Sequence, residues 1–519
     1  MCGIAGCWKP VSDQSSVEIG QRMAAVLHHR GPDAGDVWVD DHNGLMLAHR
    51  RLAIIDQSAA GHQPMQSACG RYTISYNGEI YNHQEIRQEL EQSGHAPDWR
   101  GHSDTETLLA ALATWGCADA LKKLNGMFAF ALWDRRDRTL TLARDRMGEK
   151  PLYYGNSNGV FLFASELKAI REHPAWRGEL DRNALALYFR YQYVPAPYSI
   201  YENINKLPPA HYAEIRFTTA PVVTLHCYWD ITSITESGLA AAQQSSRLEL
   251  TDRLDELLRD SVGRRMVADV PLGAFLSGGY DSSMVVAQMA AQSNIPVKTF
   301  SIGFEDPDLD EAPHARAIAS HIGTDHTELY VTEQDALMTV EQLPQIWDEP
   351  FADSSQIPTL LISRLAREHV TVSLSGDGGD ELFYGYSRYF RAERLWQTLS
   401  RLPLPLRRMA AGILRNVPAG TVEALMRILP ARYQVEHAAD RLPKLAPILA
   451  QADDALFYRE IVSHWKQPVE LVRGAVEPGC VFTGQQSLPS LPGLAELMMY
   501  LDMISYLPDD ILAKVDRAS

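Results

Sequence analysis

Three short segments of this 519-residue chain carry residues arranged for chemistry. The first is the N-terminus, where Cys2 follows Met1. If Met1 is removed, Cys2 has a free α-amine, whose unperturbed pKa is ~8. Such an amine can act as general base for its own thiol. Alone, an early cysteine reads more simply as a small buried hydrophobe. The second segment runs Leu276-Ser-Gly-Gly-Tyr-Asp-Ser-Ser283. Its successive N–H groups can form an anion nest, and a helix beginning there adds its positive end. No GxxxxGK[ST] sequence occurs, so this is not a Walker-type loop. Asp281 lies inside the nest. A carboxylate beside phosphates needs a cation between them, which makes Asp281 a candidate Mg²⁺ ligand. The third segment is Ser375-Gly-Asp-Gly-Gly-Asp-Glu381, which alone reads equally well as a solvated acidic turn.

Placing these segments requires elements around them. Residues 1 to about 215 read as α+β. Strand-like runs at Leu45–Leu47, Tyr72–Tyr76, Phe128–Trp133, Leu140–Ala143 and Val160–Ala164 alternate with helical patterns. A helix is expected over Val17–His29, with Ile19, Met23, Val26 and Leu27 on one face. The polar stretch Ser233–Ser246 reads as a linker, giving expected divisions at 2–215, 216–250 and 251–519. Beyond it, apolar runs at Val270–Leu276, Val297–Phe304, Thr327–Val331 and Val370–Leu374 alternate with helices at Ser282–Gln292 and Glu311–Ile322. That alternation predicts an α/β doubly wound parallel sheet. Ligands bind such sheets at the carboxyl ends of the strands, where both Gly-rich turns fall. Residues 390 to 480 read as mostly helical surface.

Composition narrows the partners. A net charge of −17 repels phosphate backbones and anionic lipid, so no nucleic acid and no membrane partner is expected. No apolar run reaches the ~18 residues of a spanning helix. The N-terminus lacks the basic region and long apolar stretch of a secretion signal. Six scattered cysteines without a CxxC pair indicate neither a zinc site nor a disulfide framework, so a reducing cytoplasmic setting is the expectation.

Several segments match known families in order. MCGIAG at the start, HHRGPD (28–33), AHRRLAIID (48–56), NGEIYN (77–82), HSDTE (102–106), GMFAFALWD (126–134) and RDRMGEKPLYY (144–154) resemble class II glutamine amidotransferases, the N-terminal-nucleophile family. This resemblance implies an α+β N-terminal-nucleophile sandwich in which Cys2 attacks the glutamine amide. The tetrahedral oxyanion then needs preorganised donors, and the matching groups are the Asn77 side chain and the Gly78 N–H. Arg51 matches the forked cation for the α-carboxylate. Asp104 and Glu79 match the acceptors for the α-ammonium.

SGGYDSS resembles the PP-loop of ATP pyrophosphatases, which cleave ATP between the α- and β-phosphates. The match implies ATP contacts at Leu276, Ser277, Gly278, Gly279, Asp281, Ser282, Ser283 and Ile302. SGDGGDE resembles a motif of asparagine synthetases. By that match Ser375 and Gly376 contact the adenylate, Asp377 acts near the acyl-adenylate, and Asp380 is a second Mg²⁺ ligand. DEPFADSS (348–355) matches a segment that helps to bind the acceptor.

A class II glutaminase followed by a PP-loop domain is similar to the glutamine-hydrolysing asparagine synthetase family. That order implies a ligase that converts aspartate, glutamine, ATP and water to asparagine, glutamate, AMP and pyrophosphate. The family also suggests an internal ammonia passage and admits a homodimer. Tyr280 and Tyr384 depart from the commonest patterns and keep open an acceptor other than aspartate, such as a uronic acid of surface polysaccharide. The final segment, AKVDRAS (513–519), resembles one that relatives follow with further chain, which implies a second domain incomplete at its C-terminus. A truncated non-synthetase that binds nucleotide is the remaining alternative. The PP-loop half argues against amidotransferases that make glucosamine phosphate or phosphoribosylamine. Cys2 argues against β-lactam-forming cyclases.

Overall fold

The computed structural model describes residues 1–9, 15–218, 220–242, 245–308, 310–418, 421, 445–483 and 488–518. The first part of the chain forms β1 (Gly3–Trp8), α1 (Ser16–Ala25), β2 (Ala34–Asp40), β3 (Leu45–Arg51), β4 (Met65–Gln66), β5 (Tyr72–Ile80), α2 (Asp104–Trp115), β6 (Gly126–Asp134), β7 (Thr139–Arg144), β8 (Tyr153–Ser157), β9 (Val160–Ala164), β10 (Ile204–Lys206), β11 (His211–Phe217) and β12 (Pro221–Cys227). Two antiparallel six-stranded sheets result, ordered β10-β8-β9-β1-β3-β2 and β12-β11-β7-β6-β5-β4.

Strand alternation explains the layering. Side chains two apart share a face. Ile4 and Trp8 of β1, with Ala129, Ala131 and Trp133 of β6, fill the space between the sheets. Ala5 and Cys7 of β1 face α1 instead, packing with Ile19 and Met23. Phe128, Phe130 and Leu132 of β6 face α2 with Leu108 and Leu112. Each sheet is therefore covered on both faces, as the expected sandwich requires.

Three expectations change. The helix expected over Val17–His29 ends at Ala25, and turns follow. The second sheet runs past the expected division at 215, because β12 pairs with β11 from His211↔Cys227 to Phe217↔Pro221. The stretch expected to be a linker contains α3 (Ile231–Ala242), an exposed helix with no buried residue. Residues 243 and 244 of that stretch lie outside the described residues. An exposed polar helix lacks the apolar stripe from which a helix is read in sequence.

The second part begins with α4 (Arg247–Arg265), opened by a capping box in which Ser246 and Glu249 satisfy each other's backbone N–H. β13 (Leu272–Phe275), α5 (Tyr280–Gln292), β14 (Lys298–Phe304), α6 (Ala312–Ile322), β15 (Asp325–Val331), α7 (Gln356–Arg367), β16 (Val372–Leu374) and α8 (Gly379–Phe383) follow. All strand pairs are parallel, in the order β15-β14-β13-β16. β13 and β16 are neighbours, so the turns after them share one crevice at the point where strand order reverses. Much of the expected helical stretch from 390 to 480 is helical, but 422–444 lie outside the described residues. α9 (Leu494–Ile504), a π-helical turn (Leu507–Ile511) and α10 (Leu512–Ala518) close the described chain.

The two parts meet over a mixed surface. Leu187, Tyr191 and Tyr193 pack with Tyr389, Phe457, Leu497 and Met498. Beside them lies a dry cluster of charges. Arg30 pairs with Glu166 at 2.8 Å and Asp516 at 2.7 Å, and Arg517 pairs with Glu166 at 2.8 Å. Lys168 reaches Glu166 at 2.7 Å. Removing one member would leave another charge buried and unpaired, which typically costs about 3–5 kcal/mol.

Among the described residues, no helix is long and apolar enough to cross a membrane. All six cysteines are free thiols.

Candidate active site

Cys2 stands just before β1, beside the end of β3, and Gly3 pairs with Arg50. Its thiol accepts from the Leu52 N–H at 3.4 Å and faces the Leu52 carbonyl at 3.6 Å. Burial, the largest influence, pushes this thiol up, and the nearby N-terminal charge works in the opposite direction. Met1 is attached and its amine is driven down to about 5, first by burial and then by Arg30. The amine that could serve Cys2 as base exists only once Met1 is gone.

Around Cys2 lies a cavity of about 40 Å³, lined by Met1, Arg51, Asn77, Gly78, Glu79 and Asp104 among others. The structure thus brings together all the residues expected to handle glutamine. β5 supplies Asn77, Gly78 and Glu79, β3 supplies Arg51, and the start of α2 supplies Asp104. Asn77 is 1% exposed, yet neither Nδ2 nor Oδ1 has a partner. Leaving a buried polar group unpaired costs about 1–3 kcal/mol, so such an amide invites a ligand. Gly78 is needed for a reason other than ligand approach. A Cβ there would stand 2.2 Å from the Met127 carbonyl oxygen, on the neighbouring strand.

Arg51 donates to the Ser58 carbonyl at 3.1 Å and to the Asp56 carbonyl, so the loop after β3 fixes its guanidinium at the cavity wall. Asp104 accepts from the Ile80 N–H at 3.0 Å. Glu79 is pushed up to about 8, mainly by burial and then by Asp104. Two buried carboxyl groups that resist ionising together form a site whose repulsion a bound cation would relieve.

The phosphate turn folds on itself. Gly279 N–H donates to Ser277 Oγ at 3.3 Å, Ser277 N–H to Ser282 Oγ at 3.2 Å, and Ser283 Oγ to the Gly279 carbonyl at 2.6 Å. Leu276 is fully buried and donates to the Phe300 carbonyl at 2.8 Å, while Ile302 lies on adjacent β14. The second turn abuts the first. A Cβ on Gly376 would lie 2.8 Å from Ser282 N, and one on Gly379 would lie 2.5 Å from Asp281 Cγ. Asp377 N–H faces Ser375 Oγ at 3.5 Å. All the residues expected at the nucleotide therefore line these two turns or the strands that feed them. Tyr280, the first residue of α5, is 97% exposed. Tyr384 caps α8 with φ 61°, and its hydroxyl donates to Glu393 at 2.8 Å.

Burial raises Asp281, and burial followed by Asp281 raises Asp380. These two carboxylates repel each other, as the hard ligands of a divalent cation do before it binds. Among the described residues no group of three or more His, Cys, Asp or Glu gathers as a metal site. Two carboxylates fit Mg²⁺ when substrate phosphates supply the remaining oxygens.

The segment DEPFADSS divides its work. Asp348 accepts from the Lys168 N–H at 3.1 Å, and Glu349 accepts from Ile200 N–H at 2.8 Å and the Tyr153 hydroxyl at 3.1 Å, so its head docks the first domain. Its tail, Asp353 and Ser355, meets Lys514 of α10 at 3.4 and 2.7 Å. Reading the sequence did not single out Tyr76, Arg30, Lys150 or Asp516. Arg30, Lys150 and Asp516 lie inside HHRGPD, RDRMGEKPLYY and AKVDRAS, whereas nothing in the sequence marks Tyr76 as a partner of Asp104.

Residues 1–229 match the glutamine amidotransferase domain family, and residues 253–519 match the asparagine synthase family. An asparagine synthetase (glutamine-hydrolyzing) 1 of Bacillus subtilis is 31% identical over 100% of this chain and 77% of its own length. A putative asparagine synthetase (glutamine-hydrolyzing) 2 of Methanocaldococcus jannaschii is 32% identical over 100% of this chain and 98% of its own. Among solved structures, a glutamine phosphoribosylpyrophosphate amidotransferase from B. subtilis aligns with 76% of this chain and 77% of its own at 14% identity and TM-score 0.32.

Proposed function

Because the chain belongs to the glutamine-hydrolysing asparagine synthetase family, we propose that it releases ammonia from glutamine at Cys2 and uses ATP to place that nitrogen on the side-chain carboxylate of aspartate. The observation that carries this reading is the unpartnered Asn77 amide, buried in the same small cavity as Cys2, Arg51 and Asp104.

In the first domain, Arg51 binds the α-carboxylate of glutamine, while Asp104 and Glu79 receive its ammonium. The amide carbon then lies against Cys2. The freed α-amine takes the thiol proton as sulfur attacks, and Asn77 Nδ2 and the Gly78 N–H hold the oxyanion. Ammonia leaves, carrying the transferred proton. Water cleaves the thioester and releases glutamate. The donors are fixed before the reaction, so no reorganisation is needed as charge develops.

In the second domain, the nest from Ser277 to Ser283 and the N-terminus of α5 hold the phosphates of ATP. Leu276 and Ile302 flank the base, and Ser375 and Gly376 hold the adenylate. An oxygen of the acceptor carboxylate attacks the α-phosphorus, and pyrophosphate departs. Ammonia then attacks the acyl carbon, Asp377 receives its extra proton, and AMP leaves. Asp281 and Asp380 would hold Mg²⁺, which screens the phosphate charge when bound. The division between the two functional halves falls in the region of α3.

The test is pyrophosphate release from ATP and glutamine with aspartate, glutamate or a uronic acid as sole acceptor. Release that requires aspartate supports the assignment, and release with another carboxylate alone replaces the acceptor. A Cys2→Ala chain that still releases glutamate from glutamine would refute the glutaminase half.

A further inference from the structure

Arg30 joins the two domains at the nucleophile itself. Its side chain is 2% exposed and every nitrogen is engaged. Nε donates to the Cys2 carbonyl at 2.8 Å. Nη1 donates to Asp516 Oδ2 at 2.7 Å and Glu166 Oε1 at 2.8 Å, and Nη2 donates to Asp516 Oδ1 at 2.8 Å. The two bonds to Asp516 make a fork, the geometry that fixes the plane of a guanidinium as well as its place. Once that plane is fixed, the direction of Nε is fixed too.

Cys2 has little else to hold its backbone. The pairing of β1 with β3 begins one residue later, at Gly3↔Arg50. The thiol's contact with the Leu52 N–H is long, at 3.4 Å. The Cys2 carbonyl therefore takes its position from Arg30, and Arg30 takes its orientation from Asp516. Asp516 lies on α10, in the second domain, and is 3% exposed. That helix is anchored on its other side by Lys514, which donates to Ser355 Oγ at 2.7 Å.

We propose that Asp516 is a positioning residue for glutamine hydrolysis, supplied by the second domain, which holds Cys2 in its attacking geometry through Arg30. The proposal rests on the reading of Cys2 as the glutaminase nucleophile. It makes the glutaminase site incomplete until α10 is docked against it.

The experiment uses the full chain and its Asp516→Ala, Asp516→Asn and Asp516→Glu variants. Glutamate release is followed against glutamine concentration, and alkylation of Cys2 by diazo-oxo-norleucine is timed in parallel. Misplacement of a reacting group by about 1 Å costs on the order of a hundredfold in rate. Asp516→Ala should therefore lower kcat by roughly that factor, leave the KM for glutamine within about threefold, and slow alkylation in proportion. Asp516→Glu should recover part of both. A merely structural contact would lower thermal stability and leave kcat and the alkylation rate of the folded variant within about threefold of the parent, and that result overturns the proposal. If Asp516→Ala does not fold, the isosteric Asp516→Asn decides by the same criterion. A Cys2→Ala chain that still hydrolyses glutamine overturns the nucleophile reading and this proposal together. An inactive Cys2→Ala chain beside a fully active Asp516→Ala chain overturns this proposal alone.

Discussion

The Tyr76 hydroxyl donates to Asp104 Oδ2 across 2.8 Å, with both groups buried. Tyr76 and Ile80 lie four apart on β5, and both give a donor to that one oxygen, the second from the backbone at 3.0 Å. A strand thereby aims a carboxylate that belongs to a helix. Replacing Tyr76 by Phe removes a donor to an ionisable acceptor, worth about 1.5–3 kcal/mol. The KM for glutamine should rise at least roughly tenfold with kcat little changed. Steady-state glutamate release measures both, and an unchanged KM would show that Asp104 needs no such support.

The raised carboxyl of Glu79 gives the site a pH signature. With its pKa near 8 the group carries a proton at neutral pH in the free enzyme. An ammonium ligand prefers the ionised form. The KM for glutamine should therefore fall as pH rises from about 6.5 to 8, and Glu79→Gln should flatten that dependence. Stability should move the other way. The folded pKa of Glu79 lies above its ordinary 4.5, so the fold holds a proton that the unfolded chain has already lost. Asp510 behaves alike, raised from 3.8 to about 8 by burial and then by Asp353. Unfolding free energy should drop between pH 5 and 8 by up to about 1.4 kcal/mol per unit for each group. Urea titrations across that range check the slope, which Asp510→Asn should reduce.

Asn77→Ala removes a donor aimed at the oxyanion. Losses for such donors are about 10²–10³ in kcat, with little change in KM. Amidation supported by added ammonia should continue at the parent rate, because that route bypasses Cys2. Parallel assays with glutamine and with ammonium chloride separate these outcomes.

Gly379→Ala should act at the other site. Its new Cβ would stand 2.5 Å from Asp281 Cγ, so the carboxylate must move. Pyrophosphate release should fall by an order of magnitude or more, roughly the effect of displacing a phosphate-side group by an ångström. Glutamate release from glutamine should persist.

Stripping divalent cations should distinguish the halves once more. With a chelator present, pyrophosphate release should stop and return on addition of Mg²⁺, while glutamine hydrolysis continues. An Asp281→Asn, Asp380→Asn double variant should need far more Mg²⁺ for the same rate.

What the sequence made legible was local. The run Val270–Leu276 followed by SGGYDSS announced a strand, a phosphate turn and a helix, and β13 and α5 stand there. The Gly-rich turn after Leu374 could be placed in the same crevice because parallel strands bring their carboxyl ends together. The Asn77–Glu79 segment was equally plain. The α3 helix was not, since a solvated helix carrying Gly238 shows no apolar period. Nor was the pairing of Arg30 with Asp516, which are 486 residues apart. Charges are read in sequence as solvated by default, and only tertiary packing shows that these are dry. Asp348 and Glu349 lie in the segment that resemblance assigns to the acceptor, and their bonds to Lys168, Ile200 and Tyr153 in the first half could not be read from the sequence, because they too join residues far apart in the chain.

The dry charges between the halves have a consequence for how the molecule comes apart. Glu166 on one side and Arg517 on the other would each be stranded by separation, as would Arg30 and Asp516. Neither half can let go without exposing orphaned ions in a surface shaped to exclude water. Melting should therefore proceed as a single cooperative event, with the glutamine-handling sandwich and the nucleotide-binding sheet lost together.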